Sequence, residues 1–304
     1  MKAFVTGGTG FIGSYLVEFL LARGDSVAVF SRRPPRSSTS FFCGDILEEE
    51  KLSRAVSSSK PDVVFHLAAQ SLPESSWIDP QGCFRVNVGG TLNVINAVKN
   101  SAPKARIIFV SSSSVYAPSF GDAPMDEDYQ KGPITPYGVS KLAAEQLVLL
   151  VARKLSLGCV VARPFYWIGP RKTGDVTSDW CRRIVGIEQG NNGEISVGNL
   201  EVTLDFTDVR DGVRALVLVA EKGDDLNAYN IGSGTPTSLT NLLSLLSELS
   251  TGTFNFLQES RLVRSFDHAV RVADISKIKA LGWHPTKDLR ETLEDTLRYW
   301  RAVP

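Results

Sequence analysis

Three features predict an α/β fold built around a doubly wound parallel sheet. Short apolar runs without polar alternation recur through residue 165, as strands buried on both faces require. Helical segments separate them and supply the crossovers that parallel strands need. A glycine-rich turn joins the first of these strands to the first helix.

The first strand is Lys2-Ala3-Phe4-Val5-Thr6, and Gly7-Gly8-Thr9-Gly10-Phe11-Ile12-Gly13 carries it into an amphipathic helix that Gly24 closes. Glycines at 7, 10 and 13 permit a tight turn, close approach of the backbone to a pyrophosphate, and close helix-to-strand packing. Amide groups at the helix start point at the anion. Strand, turn and helix in this order are a Rossmann-type dinucleotide site. Ser26–Phe30 is the second strand, and its end reads Ser31-Arg32-Arg33. An acidic residue there would take a ribose 2′-hydroxyl, whereas arginine accommodates a 2′-phosphate. NADP(H) is therefore favoured as cofactor, with NAD(H) the alternative. Arg32 and Arg33 have another possible role, solvating the Arg/Pro/Ser loop they open or stacking on adenine.

Phe41-Phe42-Cys43, Asp62–His66, Arg106–Val110 and Cys159–Arg163 continue the strand series. Arg32–Ser40, Pro73–Asp79 and Pro118–Pro136 read as loops. Beyond Phe165 the pattern is turn-rich, with helices expected at Asp211–Glu221, Leu239–Leu249 and Asp288–Trp300, the last opened by a capping box of Asp288 and Glu291. The expected organisation is a nucleotide-binding domain over residues 1–165 and a smaller, discontinuous substrate-binding lid over 166–304. Some of its segments return to the sheet, and the site lies in the cleft between the two.

Lys and Arg together number 33, as do Asp and Glu, so no charge excess recruits nucleic acid or an anionic membrane. No apolar run reaches the ~20 residues that span a bilayer, and no signal peptide precedes the first strand. Cys43, Cys83, Cys159 and Cys181 lack metal-ligand spacing and read as buried thiols of a cytoplasmic protein, with no metal expected.

The chemistry is carried by four consecutive serines, Ser111–Ser114, followed by Val115-Tyr116 and then Tyr137-x-x-x-Lys141. Residues four apart share a helix face, so Tyr137 and Lys141 point into one site. A phenol titrates near pH ~10, and an ammonium beside it lowers that value toward a working acid and base.

These motifs together with Gly44-Asp45-Ile46, His66-Leu67-Ala68-Ala69, Asn87-Val88-x-Gly90-Thr91, Tyr137-Gly138-x-Ser140-Lys141, Arg163-Pro164-Phe165 and Gly169-Pro170 give a resemblance spanning Lys2 to about Trp300. The chain resembles the extended short-chain dehydrogenase/reductases of the nucleotide-sugar epimerase, dehydratase and ketoreductase group. The resemblance implies Ser112 and Tyr137 at the reacting carbon and Lys141 between Tyr137 and the nicotinamide ribose. It places the cofactor against Gly7, Gly10, Phe11, Ile12, Gly13, Ser31, Arg32, Arg33, Asp45, Ile46, Leu67, Ala68, Ala69, Asn87, Val110 and Pro164. It also implies a homodimer formed through helices of the nucleotide-binding half.

Missing groups narrow the reaction. Dehydratases of this group carry an acidic pair after the catalytic Ser/Thr, and here those positions are Ser113 and Ser114. Dehydration is disfavoured. The 3,5-epimerase/reductases use a cysteine where this chain has Ser114. His66, His268 and His284 are the only histidines, and His66 is expected at the sheet beside the cofactor. Reduction of a ketone remains, or oxidation and re-reduction in a 4-epimerase. A non-catalytic dinucleotide sensor is the reading from a different class.

Val197–Glu201 and Asp205–Asp211 resemble the lid of GDP-mannose dehydratases and GDP-4-keto-6-deoxymannose reductases, as do Ser76-Trp77-x-x-Pro80 and Gly282-Trp283-x-Pro285. Ser113, Tyr166, Val197, Asn199, Arg210 and Arg264 are the implied substrate contacts, with a GDP-linked sugar favoured. Arg264 would clamp the diphosphate, or else it is a solvated loop charge. Tyr166 stands where relatives have Asn, and Leu204 where many have Arg. Tyr166 and Trp180 read equally as core aromatics.

Overall fold

Lys2–Thr6 (β1) sits mid-sheet because Ala3, Phe4, Val5 and Thr6 all bury their side chains. The computed structural model describes residues 1–119, 121, 123–263 and 270–303. After β1 come α1 (Phe11–Ala22), β2 (Ser26–Ser31), β3 (Ser40–Cys43), α2 (Glu49–Ser59), β4 (Val63–His66), α3 (Pro73–Ile78), α4 (Pro80–Phe84), α5 (Gly90–Ser101), β5 (Arg106–Val110), α6 (Pro136–Leu155) and β6 (Cys159–Pro164). The later segments are β7 (Tyr166–Ile168), α7 (Val176–Glu188), β8 (Glu194–Val197), β9 (Thr203–Asp208), α8 (Val209–Lys222), β10 (Ala228–Ile231), β11 (Pro236–Ser238), α9 (Leu239–Leu249), β12 (Asn255–Gln258), β13 (Val270–Arg271), α10 (Ser276–Ala280) and α11 (Leu289–Ala302).

Seven parallel strands form the main sheet in the order β10-β6-β5-β4-β1-β2-β3. The winding direction reverses between β1 and β4, which opens a crevice at their carboxyl ends where Rossmann-type sheets bind ligands. One face packs against Leu16, Val17 and Leu20 of α1 and Val213 and Leu216 of α8. The other packs against Leu52 and Val56 of α2, Val94 and Val98 of α5, and Val148 of α6. A separate core, with Trp180, Ile184, Ile195, Val197, Leu242 and Leu297, holds together the smaller sheets and α7, α9 and α11.

Three expectations are corrected. Residues 73–78 are a helix rather than a loop, since Pro73 occupies a first-turn position where its missing N–H costs nothing. Cys43 is exposed on the edge strand β3, while the other three thiols are buried. The helix expected at Asp211 begins at Val209, because the Asp208 carboxylate accepts from the Arg210 amide at 2.7 Å and caps it. Asp288 caps α11 in the same way, accepting from the Glu291 amide at 2.7 Å.

Candidate functional site

The glycine turn closes against β4 at a distance only glycine tolerates. Gly7 has φ +72°, and a Cβ there would lie 2.7 Å from the Ala68 nitrogen; one on Gly13 would lie 2.2 Å from the Gly7 carbonyl oxygen. Gly10, at the N-cap of α1, offers no side-chain cap, so amides at that helix start are left for a ligand. An open helix start beside a glycine cradle fits a dinucleotide pyrophosphate.

At the end of β2, Arg32 and Arg33 are exposed and make no ion pair among the described residues. Ser31 is buried and its hydroxyl donates to the Arg33 carbonyl at 2.7 Å, which shapes the loop. Asp45 accepts from the Leu47 amide at 3.0 Å, and Ile46 is buried beside it.

His66 ends β4 fully buried and joins the crevice to the helix side. Its Nδ1 lies 2.8 Å from Thr6 Oγ1 and its Nε2 lies 3.0 Å from Thr91 Oγ1. Thr91 gives its own proton to the Asn87 carbonyl at 2.5 Å, so Nε2 donates to Thr91 and Nδ1 accepts from Thr6. Burial holds the imidazole neutral, with a pKa down at about 3. Asn87 lies in a π-helical turn, Arg85–Gly89; its side-chain amide donates to Ser140 Oγ at 2.8 Å, and its Oδ1 accepts from the Gln70 amide at 2.8 Å. Leu67, Ala68 and Ala69 run between these anchors.

Ser112 and α6 meet at the carboxyl end of β5. Thr135 caps α6, accepting from the Gly138 amide at 3.0 Å, and Pro136 fills the first turn. Tyr137 and Lys141 then lie on its buried face. Ser112 stands beside the Tyr137 phenol, and Lys141 Nζ donates to the Val110 carbonyl at 2.5 Å. The expectation that Lys141 dominates the phenol is corrected. Burial raises the Tyr137 pKa, and the Ser112 hydroxyl is what pulls it back. Burial also lowers Lys141 to about 8, against the opposing charge of Glu145. Ser113 is buried at the start of a 3-10 turn, and Pro164 ends β6 opposite Ile231.

On the substrate side the placements diverge. Tyr166 is partly buried against the third core, packs edge-on to Phe206 at 5.2 Å and has Lys172 4.6 Å from its ring. Trp180 and Val197 are buried in the third core, which gives Trp180 the core role. Leu204 packs against that core and pairs with Thr237. Asn199 Oδ1 accepts from the Glu201 amide at 3.0 Å. Arg210 spends its guanidinium on Asp208 at 2.6 Å and Asp295 at 2.6 Å, so its assignment as a substrate contact is not carried forward. Asp205 and Asp211 are likewise structural, tying β9 to Ser233, Gly234 and Ala273, and α8 to Thr286 and Lys287. Arg264 lies outside the described residues.

Two groups at the site are absent from the sequence expectations. Lys172 reaches toward Phe11 as well as Tyr166, and pairs with Asp175 at 3.1 Å. Glu145 is fully buried behind Lys141; a carboxylate continuing the 137, 141 spacing was the available signal. Among the described residues there is no metal-ligating cluster, and no helix is long and apolar enough to cross a membrane.

The model of the NAD dependent epimerase/dehydratase family matches residues 3–232. The chain belongs to that family. As a member it is an enzyme of the extended short-chain dehydrogenase/reductase type, with a nicotinamide dinucleotide as cofactor. It is 31% identical to the GDP-6-deoxy-D-mannose reductase of Pseudomonas aeruginosa, over 99% of this chain and 97% of that one. Two family structures superpose closely. RMD from Pseudomonas aeruginosa complexed with NADPH gives a TM-score of 0.89 at 28% identity, covering 99% of both chains. The Thermus thermophilus UDP-glucose 4-epimerase in complex with NAD gives 0.91 at 27% identity, covering 100% of both.

Proposed function

We propose that the protein reduces the C4 carbonyl of a nucleotide-linked 4-keto-6-deoxyhexose, GDP-linked, using NADPH. The observation that carries this reading is the Ser112, Tyr137 and Lys141 set, with only Ser113 and Ser114 where a second acid and base would stand. One acid at one carbon suits carbonyl reduction. The likeness to a GDP-6-deoxy-D-mannose reductase over nearly the whole chain supports the sugar. Unpaired Arg32 and Arg33 support the 2′-phosphate.

The bound nicotinamide supplies the hydride. Tyr137, kept protonated by burial, gives its proton to the alkoxide that forms. Ser112 hydrogen-bonds that oxygen as its charge develops. Lys141 has three donors, and the Val110 carbonyl takes one; the others serve Tyr137 and the ribose. Gly7, Gly10, Phe11, Ile12 and Gly13 hold the pyrophosphate, and Asp45 and Ile46 the adenine. Residues 1–165, with α8 and β10 returning to the sheet, form the dinucleotide half, and the rest of 166–304 holds the sugar nucleotide through Tyr166 and Asn199, with Ser113 reaching it from the dinucleotide half. The reading also places the enzyme in the cytoplasm, as a homodimer.

A 4-epimerase is the second reading, favoured by the likeness to the Thermus enzyme. Two assays separate the readings, one on GDP-4-keto-6-deoxymannose with NADPH and one on a GDP-hexose that carries a C4 hydroxyl. The reductase consumes one NADPH per product and Tyr137→Phe slows it by about 10²–10⁴. Epimerised sugar without net loss of NADPH assigns the 4-epimerase instead.

A further inference from the structure

The junction between β5 and α6 is built as three matched rungs. Three consecutive residues at the end of the strand meet three residues spaced by four along the helix. The Val110 carbonyl accepts from Lys141 Nζ at 2.5 Å, Ser111 Oγ donates to Glu145 Oε2 at 2.6 Å, and Ser112 stands beside the Tyr137 phenol. Two of these rungs carry the groups assigned to the reaction. The middle one does not, and nothing about proton or hydride transfer asks for it.

Glu145 is 0% exposed and is not left to repel its surroundings. Arg163 on β6 grips it with two bonds, Nη2 to Oε1 at 2.5 Å and Nε to Oε2 at 3.2 Å. The other side of the guanidinium donates from Nη1 to Tyr116 Oη and the Glu127 carbonyl, both at 2.8 Å. A buried pair of this kind gains little net stability over an apolar replacement, because desolvating both charges costs about as much as their attraction returns. Its retention directly behind a lysine therefore calls for another account.

We propose that Glu145 is a positioning residue for the catalytic set: it fixes the Ser112 end of β5 in register with α6 and presents a fixed negative charge to Lys141. The proposal rests on the assignment of Ser112, Tyr137 and Lys141 to the reaction. Lys141 is 4% exposed, and few groups face it. Tyr137 and Glu145 come from its own helix, the Cys83 thiol from α4, the neutral His66 ring from β4, and the Phe109 ring from β5 at 4.6 Å. Glu145 is the leading influence that favours the ammonium against desolvation. Removing the carboxylate while Arg163 stays makes the pocket more positive, so Lys141 surrenders its proton more readily.

The test is the alkaline limb of two pH profiles, kcat/KM for the sugar and dinucleotide affinity followed by quenching of tryptophan fluorescence. In the unaltered enzyme both should fall as Lys141 loses its proton, at about pH 8. Glu145→Gln should move both limbs down by roughly one pH unit. Glu145→Asp retains the charge but shortens the reach to Ser111, so its limbs should stay put while kcat drops several-fold. Ser111→Ala should do the same. If Glu145→Gln fails to fold with Arg163 stranded, Glu145→Gln/Arg163→Met clears both charges, and a smaller downward shift is expected. Equal limbs in the Gln and Asp variants, or in the double variant and the unaltered enzyme, would overturn the proposal. The affinity profile needs no sugar, so a protein that turns over no GDP-sugar but shows the shift loses the substrate assignment and keeps this one.

Discussion

On the proposed reading, Arg32 and Arg33 decide between two dinucleotides that differ by one phosphate. Both are exposed, and neither is neutralised by a carboxylate among the described residues. Replacing both with Ala should weaken NADPH about 10–100-fold, since the charge-assisted hydrogen bonding lost by the 2′-phosphate contributes ~1.5–3 kcal/mol in all, and leave NADH nearly unchanged. Isothermal titration at two salt concentrations checks this; equal losses for both cofactors would assign the arginines to the loop. These residues were legible because a strand end followed by a charge needs no tertiary information. Tyr137 and Lys141 were legible for the same reason, as a spacing on one helix. Glu145 was not: a glutamate on an amphipathic helix reads as solvated until Arg163, eighteen residues on, is seen opposite it. Arg210 failed in reverse, since an arginine with a motif resemblance carries no sign that Asp208 and Asp295 already hold it.

The first turn of α1 meets the glycine loop backbone to backbone. A methyl on Gly13 would meet the Gly7 carbonyl oxygen and the Gly8 Cα, neither of which can rotate away. Gly13→Ala should therefore cost ~1–3 kcal/mol in stability and abolish dinucleotide quenching, as overpacking shifts the helix from the turn. Urea denaturation alongside a binding titration tests both halves; a variant that binds normally would show that α1 can retreat without loss. Elements with strong local signals came out within a residue or two, among them β5 and α9. Short elements fixed by tertiary contact did not. Residues 73–78 look like a loop because Pro73 and Ser75-Ser76 are turn formers, yet Ser76 Oγ accepts from the Tyr137 amide at 3.0 Å and docks the helix on α6. The four-residue strand β10, with Tyr229 and Asn230 at its centre, has no readable period of its own; β6 supplies its partner.

At the scale of the whole molecule, the outer faces of α4, α5 and α6 leave Phe84, Leu92, Val139 and Leu150 exposed, Leu150 at 63%. Val139, Ala143 and Leu150 lie along one stripe of α6 that Gln146 interrupts, and with Phe84 and Leu92 they suit pairing with a second copy. The enzyme should sediment as a dimer, and Leu150→Lys should shift it to monomer with its fold intact by circular dichroism; an unaltered protein that stays monomeric at micromolar concentration would remove the assembly. The seven-stranded sheet also has a history written into its order. Its β10 edge is made by residues 228–231, synthesised long after β6. Until they emerge from the ribosome, the outer rim of Cys159–Pro164 has bare amides and carbonyls, a template for unwanted pairing between nascent chains. A fragment ending at residue 165 would keep that rim open permanently, so the first half of this chain is a poor candidate for separate expression, however complete its nucleotide-binding motifs look. The late-arriving strand acts as a seal, and the sheet closes on this side only once residues 228–231 have been made.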